Sequence, residues 1–195
     1  MRQKSVSDLA RDWWVMGLRG LAAMVACVII LVTSFPYAEN ILRVFGGYLF
    51  IDGLIVLILA AFEARRRKGW AKAALNGLLG VIFGITNLIG SGPLRFRADL
   101  IAARTFLAGI SNIITARQLR IPPSEWLLSW LLVMAGFGSV IFSLMLSVGP
   151  LLVGQLPHEF GWVGALYTLG LGILFLTISF WLLKLHRKPA STAAA

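Results

Sequence analysis

A single cysteine, Cys27, excludes an intramolecular disulfide, and with only two histidines, His158 and His186, it leaves no ordinary Cys/His set for zinc. Acidic side chains are scarce as well: eight against 18 lysines and arginines, a formal net charge of +10. Walker loop, Rossmann fingerprint, HExxH and GxSxG are all missing, which argues against nucleotide-driven, dinucleotide-dependent, zincin and serine-hydrolase chemistry. The expectation is a non-enzymatic chain with no catalytic, cofactor-binding or metal-binding residues and no cofactor. Missing too are polar faces at helical spacing, which the outer helices of a soluble bundle would need.

What fills the 195 residues is apolar: 58% hydrophobic and 13% charged, with a mean hydropathy of +0.84. A domain this small cannot bury that much apolar side chain in its own core, so a bilayer is the expected solvent. A spanning helix takes about 20 mostly apolar residues. Six such stretches are read at Trp13–Thr33, Ile41–Phe62, Ala71–Ile89, Leu100–Ala116, Glu125–Val148 and Gly161–Leu183. They are too long and too continuously apolar for barrel strands. The predicted fold class is therefore all-α, a polytopic membrane protein. The first stretch is expected to be retained, because Arg19 follows its tryptophans and no small-x-small cleavage site follows the run.

The six stretches form three copies of one unit: an apolar helix opened by tryptophan, a proline-bearing turn, and a second helix aligned on glycine. Gly20 to Pro36 and Gly77 to Pro93 are equally spaced, as are Gly53 to Ala60 and Gly109 to Ala116. The units run over about 13–64, 70–117 and 125–184, between an N-terminal segment 1–12 and a polar tail 185–195 expected to be disordered. Short proline turns near Pro36 and at Gly90–Arg97 would set neighbouring helices antiparallel. The third connection, Gly149–Phe160 with Pro150, Pro157, His158 and Glu159, is longer, and Pro122, Pro123, Ser124 and Glu125 look like a helix start.

Arg2, Lys4, Arg11, Arg65, Arg66, Arg67, Lys68, Lys72, Arg117, Arg120, Lys184, Arg187 and Lys188 all fall on one side of a six-helix path. The positive-inside rule makes that side the cytoplasm, with both termini there. Arg95 and Arg97, in the second outer turn, oppose the trend beside Asp99. The basic excess thus reports topology and contact with anionic headgroups on the cytoplasmic side, not nucleic acid. All seven tryptophans sit near expected helix ends, as an aromatic belt requires.

Ionisable residues inside the spans need a partner or a use, since each costs at least about 2.5–3.5 kcal/mol on insertion scales. Arg19 and Asp52 can face one seam of the first hairpin and are expected to pair. The pair locks the hairpin, or Asp52 takes and releases a proton. In the other repeats Asn76 stands at the Arg19 position, and Ala108 and Leu171 at the Asp52 position. Arg104, whose repeat equivalents are Tyr48 and Tyr167, has Asp99, Asn87 and Glu39 as candidate partners, or else snorkels outward. Asn112, Asn87 and Thr115 can bond between helices. Gly77, Gly80, Gly84, Gly53, Gly109 and Gly172 are the expected helix-packing surface, Gly80 to Gly84 as a GxxxG match; Gly136, Gly138 and Gly170 supply further small residues.

Three hairpins of this kind resemble the HdeD family of bacterial acid-resistance membrane proteins. The likeness is carried by Trp14-Val-Met-Gly-Leu-Arg-Gly, Pro36, the Gly47-Tyr-Leu-Phe-Ile-Asp-Gly run, Ile114-Thr-Ala-Arg and Tyr167–Gly172, over roughly Trp13 to Lys184. It implies a six-helix protein of the bacterial inner membrane associated with acid-stress survival, with no settled molecular activity. Asp52-Gly53 matches the family's acidic-glycine position, and the later repeats lack the acid. Two readings stand: a membrane protein of acid or envelope stress acting through lipid, a second copy or another membrane partner; or a small transporter or proton-linked channel routed by Asp52, Arg104, Asn112 and Asn87.

Overall fold

The computed structural model describes residues 11–33, 38–64, 70–90, 92–118, 126–153 and 160–187. Pro36, the basic link 65–69, the Pro122–Glu125 helix start, Pro157, His158 and Glu159, and the tail 188–195 lie outside the described residues. Six helices form: α1 (Trp13–Thr33), α2 (Ala38–Ala64), α3 (Trp70–Ile89), α4 (Leu94–Gln118), α5 (Trp126–Val153) and α6 (Phe160–Arg187). No strand occurs among the described residues.

Local chemistry sets the ends. Asp12 closes the first turn of α1, its carbonyl accepting from the Val15 N–H at 3.0 Å, and an acidic N-cap suits the positive helix end. Between α3 and α4 the chain turns through Gly90 and Gly92 at φ of 73° and 96°, a left-handed backbone that favours glycine. Pro93 then caps α4, accepting from the Arg97 N–H at 3.1 Å. Arg95 and Arg97 are therefore helical residues and not part of the turn. Likewise α5 runs on through Pro150 to Val153, so Pro150 does not open the third connection.

Four helices, α1, α2, α5 and α6, are long and apolar enough to cross a membrane. In α3 a shorter apolar stretch, Ala73–Ile89, remains. The helix at the fourth expected span is less apolar than these, because α4 carries Arg95, Arg97, Asp99, Arg104 and Arg117. Two of these, Arg97 and Arg104, are buried inside the bundle, while the outward face of α4 shows Phe106, Leu107, Ile110 and Ile114. Low hydropathy here records two charges turned inward and three, Arg95, Asp99 and Arg117, exposed at or near the helix ends. Across the molecule Val32, Ile89, Leu166 and Phe180 are largely exposed, a surface that lipid suits and water does not.

The helices do not pack most closely within the repeat units. The most extensive contacts join α2 to α3, α1 to α6 and α4 to α5, and the pairs α1–α2, α5–α6 and α3–α4 touch less. Glycine explains the three tight seams. A Cβ on Gly53 would lie 2.7 Å from the Gly77 carbonyl oxygen, one on Gly109 2.7 Å from that of Gly136, and one on Gly172 3.2 Å from that of Gly20. Each second helix thus presses its aligned glycine onto the first helix of the next unit, and the third unit returns to the first. Gly80 and Gly84 extend the α2–α3 seam, Gly84 facing the Phe50 backbone. Gly138 and Gly170 meet nothing within 4 Å; they open a groove between α5 and α6.

Side-chain hydrogen bonds reinforce two seams. Ser143 Oγ donates to the Ala102 carbonyl across α5–α4 at 2.8 Å, and Ser179 Oγ to the Trp13 carbonyl across α6–α1 at 3.0 Å. Bonds of this kind between spanning helices are worth about 0.6–2 kcal/mol each.

Candidate functional site

The close seams turn α2, α4 and α6 toward one another, α2 touching both others, and the polar residues of the spans collect where they converge. Asp52, 3% exposed, is the hub. Arg19 Nε from α1 donates to its Oδ1 at 2.6 Å and Nη2 approaches Oδ2 at 3.5 Å. Arg104 Nη2 from α4 donates to Oδ2 at 3.2 Å. Both carboxylate oxygens are therefore engaged, by guanidinium groups from two other helices. Such charge-assisted bonds are roughly twice as strong as neutral ones.

The Arg104 partner differs from each of those expected. Asp99 is exposed, and Glu39 is taken by Arg43 Nη2 at 2.8 Å. Asn87 is engaged at a different guanidinium, that of Arg97. Arg104 does not snorkel: at 1% exposure it is among the most buried side chains.

Tyr48, Arg104 and Tyr167, equivalent in the repeat register, line one cavity with Asp52, Ala108 and Leu171, the equivalent residues one turn further on. Arg19, Thr105, Asn112, Ser139 and Phe175 complete much of its wall, and its volume is about 20 Å³, room for about one water-sized particle. Two aromatic rings, Tyr167 and Phe175, form part of that wall. Phe142 stacks on Tyr167 at 4.0 Å and on Phe45 at 5.4 Å. The Arg19 guanidinium lies 4.7 Å from the centre of the Phe175 ring, a cation–π contact. Tyr167 donates to Ser139 Oγ at 3.1 Å, and Ser139 in turn to the Ala135 carbonyl at 2.8 Å.

Of the remaining polar candidates, Asn112 is buried in the cavity wall. Asn87 and Thr115 do not bond between helices through their side chains. Asn87 Nδ2 donates to Phe83 and Thr115 Oγ1 to Ser111, each within its own helix. Asn76 is half-buried on α3 and is not part of the cavity wall.

A second charged cluster lies at the end of the bundle that carries the α3–α4 turn, around Arg97. Its side chain, 2% exposed, donates from Nη2 to the Asn87 carbonyl at 2.7 Å and places Nη1 3.7 Å from Glu39. Arg43 shares the same carboxylate. Sequence reasoning treated Arg97 as a turn residue; its spacing from Arg104, two helical turns, was the signal that both share the inner stripe of α4. Tyr48 and Tyr167 were named only as repeat equivalents, and Ser139, Thr105 and Phe175 not at all.

Comparison with family models, with curated proteins and with solved structures finds no match to this chain.

Proposed function

We propose that this is a non-enzymatic, multi-pass protein of the bacterial inner membrane, with both termini cytoplasmic, that serves acid or envelope stress by acting as a unit on lipid or on membrane partners. The stress assignment rests on the resemblance to the HdeD family, and the orientation on the placement of lysine and arginine. One observation carries the choice of a packed unit over a conduit. Both oxygens of Asp52 are held by arginines of α1 and α4 in a cavity of about 20 Å³ walled in part by Tyr167 and Phe175. A carboxylate so held cross-links three helices, and a space for about one water is too small to be a path. A reporter active only outside the cytoplasm, silent when fused at Ala195, checks the orientation.

A small transporter or proton-linked channel is the second reading. It is favoured by the convergence of α2, α4 and α6 on a polar centre, with Arg97, Asn87 and Glu39 at one end of the bundle. Proteoliposomes carrying an internal pH dye separate the two, comparing wild type with Asp52→Asn at equal folded amounts. The packed-unit reading expects no proton flux above empty liposomes from either protein. Flux from wild type that Asp52→Asn abolishes would replace it with the second.

A further inference from the structure

The central cluster is out of balance: two guanidinium groups, Arg19 and Arg104, share one carboxylate, Asp52. Among the described residues no other acidic side chain lines the cavity. Arg104 spends one terminal nitrogen on Asp52, and its Nε and Nη1 have no hydrogen-bond partner although both are buried. These are charged donors, and leaving them bare in a low-dielectric interior is among the more expensive arrangements a fold can hold. The same side chain borders the cavity of about 20 Å³, so a buried guanidinium with unused donors stands beside a polar space in the bundle.

We propose that this cavity is a binding site for one small monovalent anion of the halide class, held by the Arg104 guanidinium. The charge of the ligand follows from the surplus, which is a single positive charge. Its size follows from the cavity, about 20 Å³, which has room for about one water-sized particle and excludes phosphate, sulfate and organic acids. A water in the same place would satisfy donors but leave the surplus charge standing, whereas an anion answers both needs. The occupant also bears on Asp52. With the surplus charge of Arg104 neutralised, the carboxylate would be shared less strongly between its two arginines, so anion occupancy and the Arg19–Asp52 bond are coupled.

Binding is tested without reference to transport, so failure of this inference and failure of either functional reading are separately visible. Purified protein in nanodiscs is unfolded by heat at constant ionic strength while sodium gluconate is replaced stepwise by chloride or bromide. A ligand that binds only the folded state raises the midpoint in proportion to its occupancy. The expected result is a saturable rise with chloride and bromide and none with sulfate. Arg104→Gln should weaken the apparent affinity by about tenfold or more, the loss expected for charge-assisted bonds. Should that variant not fold, Asp52→Asn keeps Arg104 and doubles the surplus charge, and it should bind the halide tighter than wild type. A wild-type midpoint that responds alike to chloride, gluconate and sulfate would overturn the proposal. So would an Arg104→Gln protein with the wild-type halide response, which would put the ion elsewhere.

Discussion

Asp52 balances two arginines at once, and this changes what its removal should do. Asp52→Ala leaves the half-buried Arg19 and the buried Arg104 without their carboxylate, a loss expected to cost about 3–5 kcal/mol. Removing Arg19 as well relieves half of the difficulty, because Arg104 Nη2 at 3.2 Å loses the same partner. The expected order of folded yield is therefore Asp52→Ala lowest, Asp52→Ala with Arg19→Leu intermediate, and the triple variant with Arg104→Leu highest of the three. Size-exclusion profiles of the detergent-solubilised proteins read that order, and equal yields for the double and triple variants would remove Arg104 from the cluster. The Arg19–Asp52 contact was legible in the sequence because a single antiparallel hairpin brings the two residues to one seam. Arg104 was not, because its approach depends on how the three second helices meet, which no hairpin taken alone determines.

Helix elements pair through glycine, and the positions differ sharply in what they tolerate. A Cβ on Gly84 would lie 2.5 Å from the Phe50 backbone nitrogen and one on Gly53 2.6 Å from that of Val81. Backbone cannot step aside as a side chain can, so Gly84→Val or Gly53→Val should force α2 and α3 apart. A thermal midpoint lowered enough to abolish the folded peak is expected. Gly170→Ala and Gly138→Ala face open space and should raise stability by up to about 1 kcal/mol, the helix-propensity difference between alanine and glycine. The same differential scanning measurement covers all four. The six helices and the glycine register were readable from apolar length and repeat spacing. Which neighbours the glycines join was not, since Gly53 and Gly77 lie on either side of a charged link and the repeat suggested that pairing stays within a unit. Helix ends differ from the apolar runs where charge masks the pattern, at Arg95 and Arg97 in α4, and where α5 continues through Pro150.

For the whole molecule the decisive contact is α1 on α6, which brings together residues from opposite ends of the described chain. A Cβ on Gly17 would stand 3.7 Å from that of Ser179, within the range a disulfide needs. In a Cys27→Ala background, Gly17→Cys with Ser179→Cys should cross-link under mild oxidation within one chain, giving a faster-migrating band on a non-reducing gel that reductant abolishes. Cross-linked dimers in place of that band would show that the seam belongs to two molecules.

That seam also places the protein in time. Helix α6 leaves the ribosome after the five other described helices, so the face of α1 that carries Gly17 and Gly20 has no glycine-bearing partner until then. During that interval α1 has α2 as its neighbour, and the bond from Arg19 to Asp52 is available from the moment the second helix is complete. Arg104 arrives two helices later and α6 later still. The first helix is held early by charge and only later by close packing.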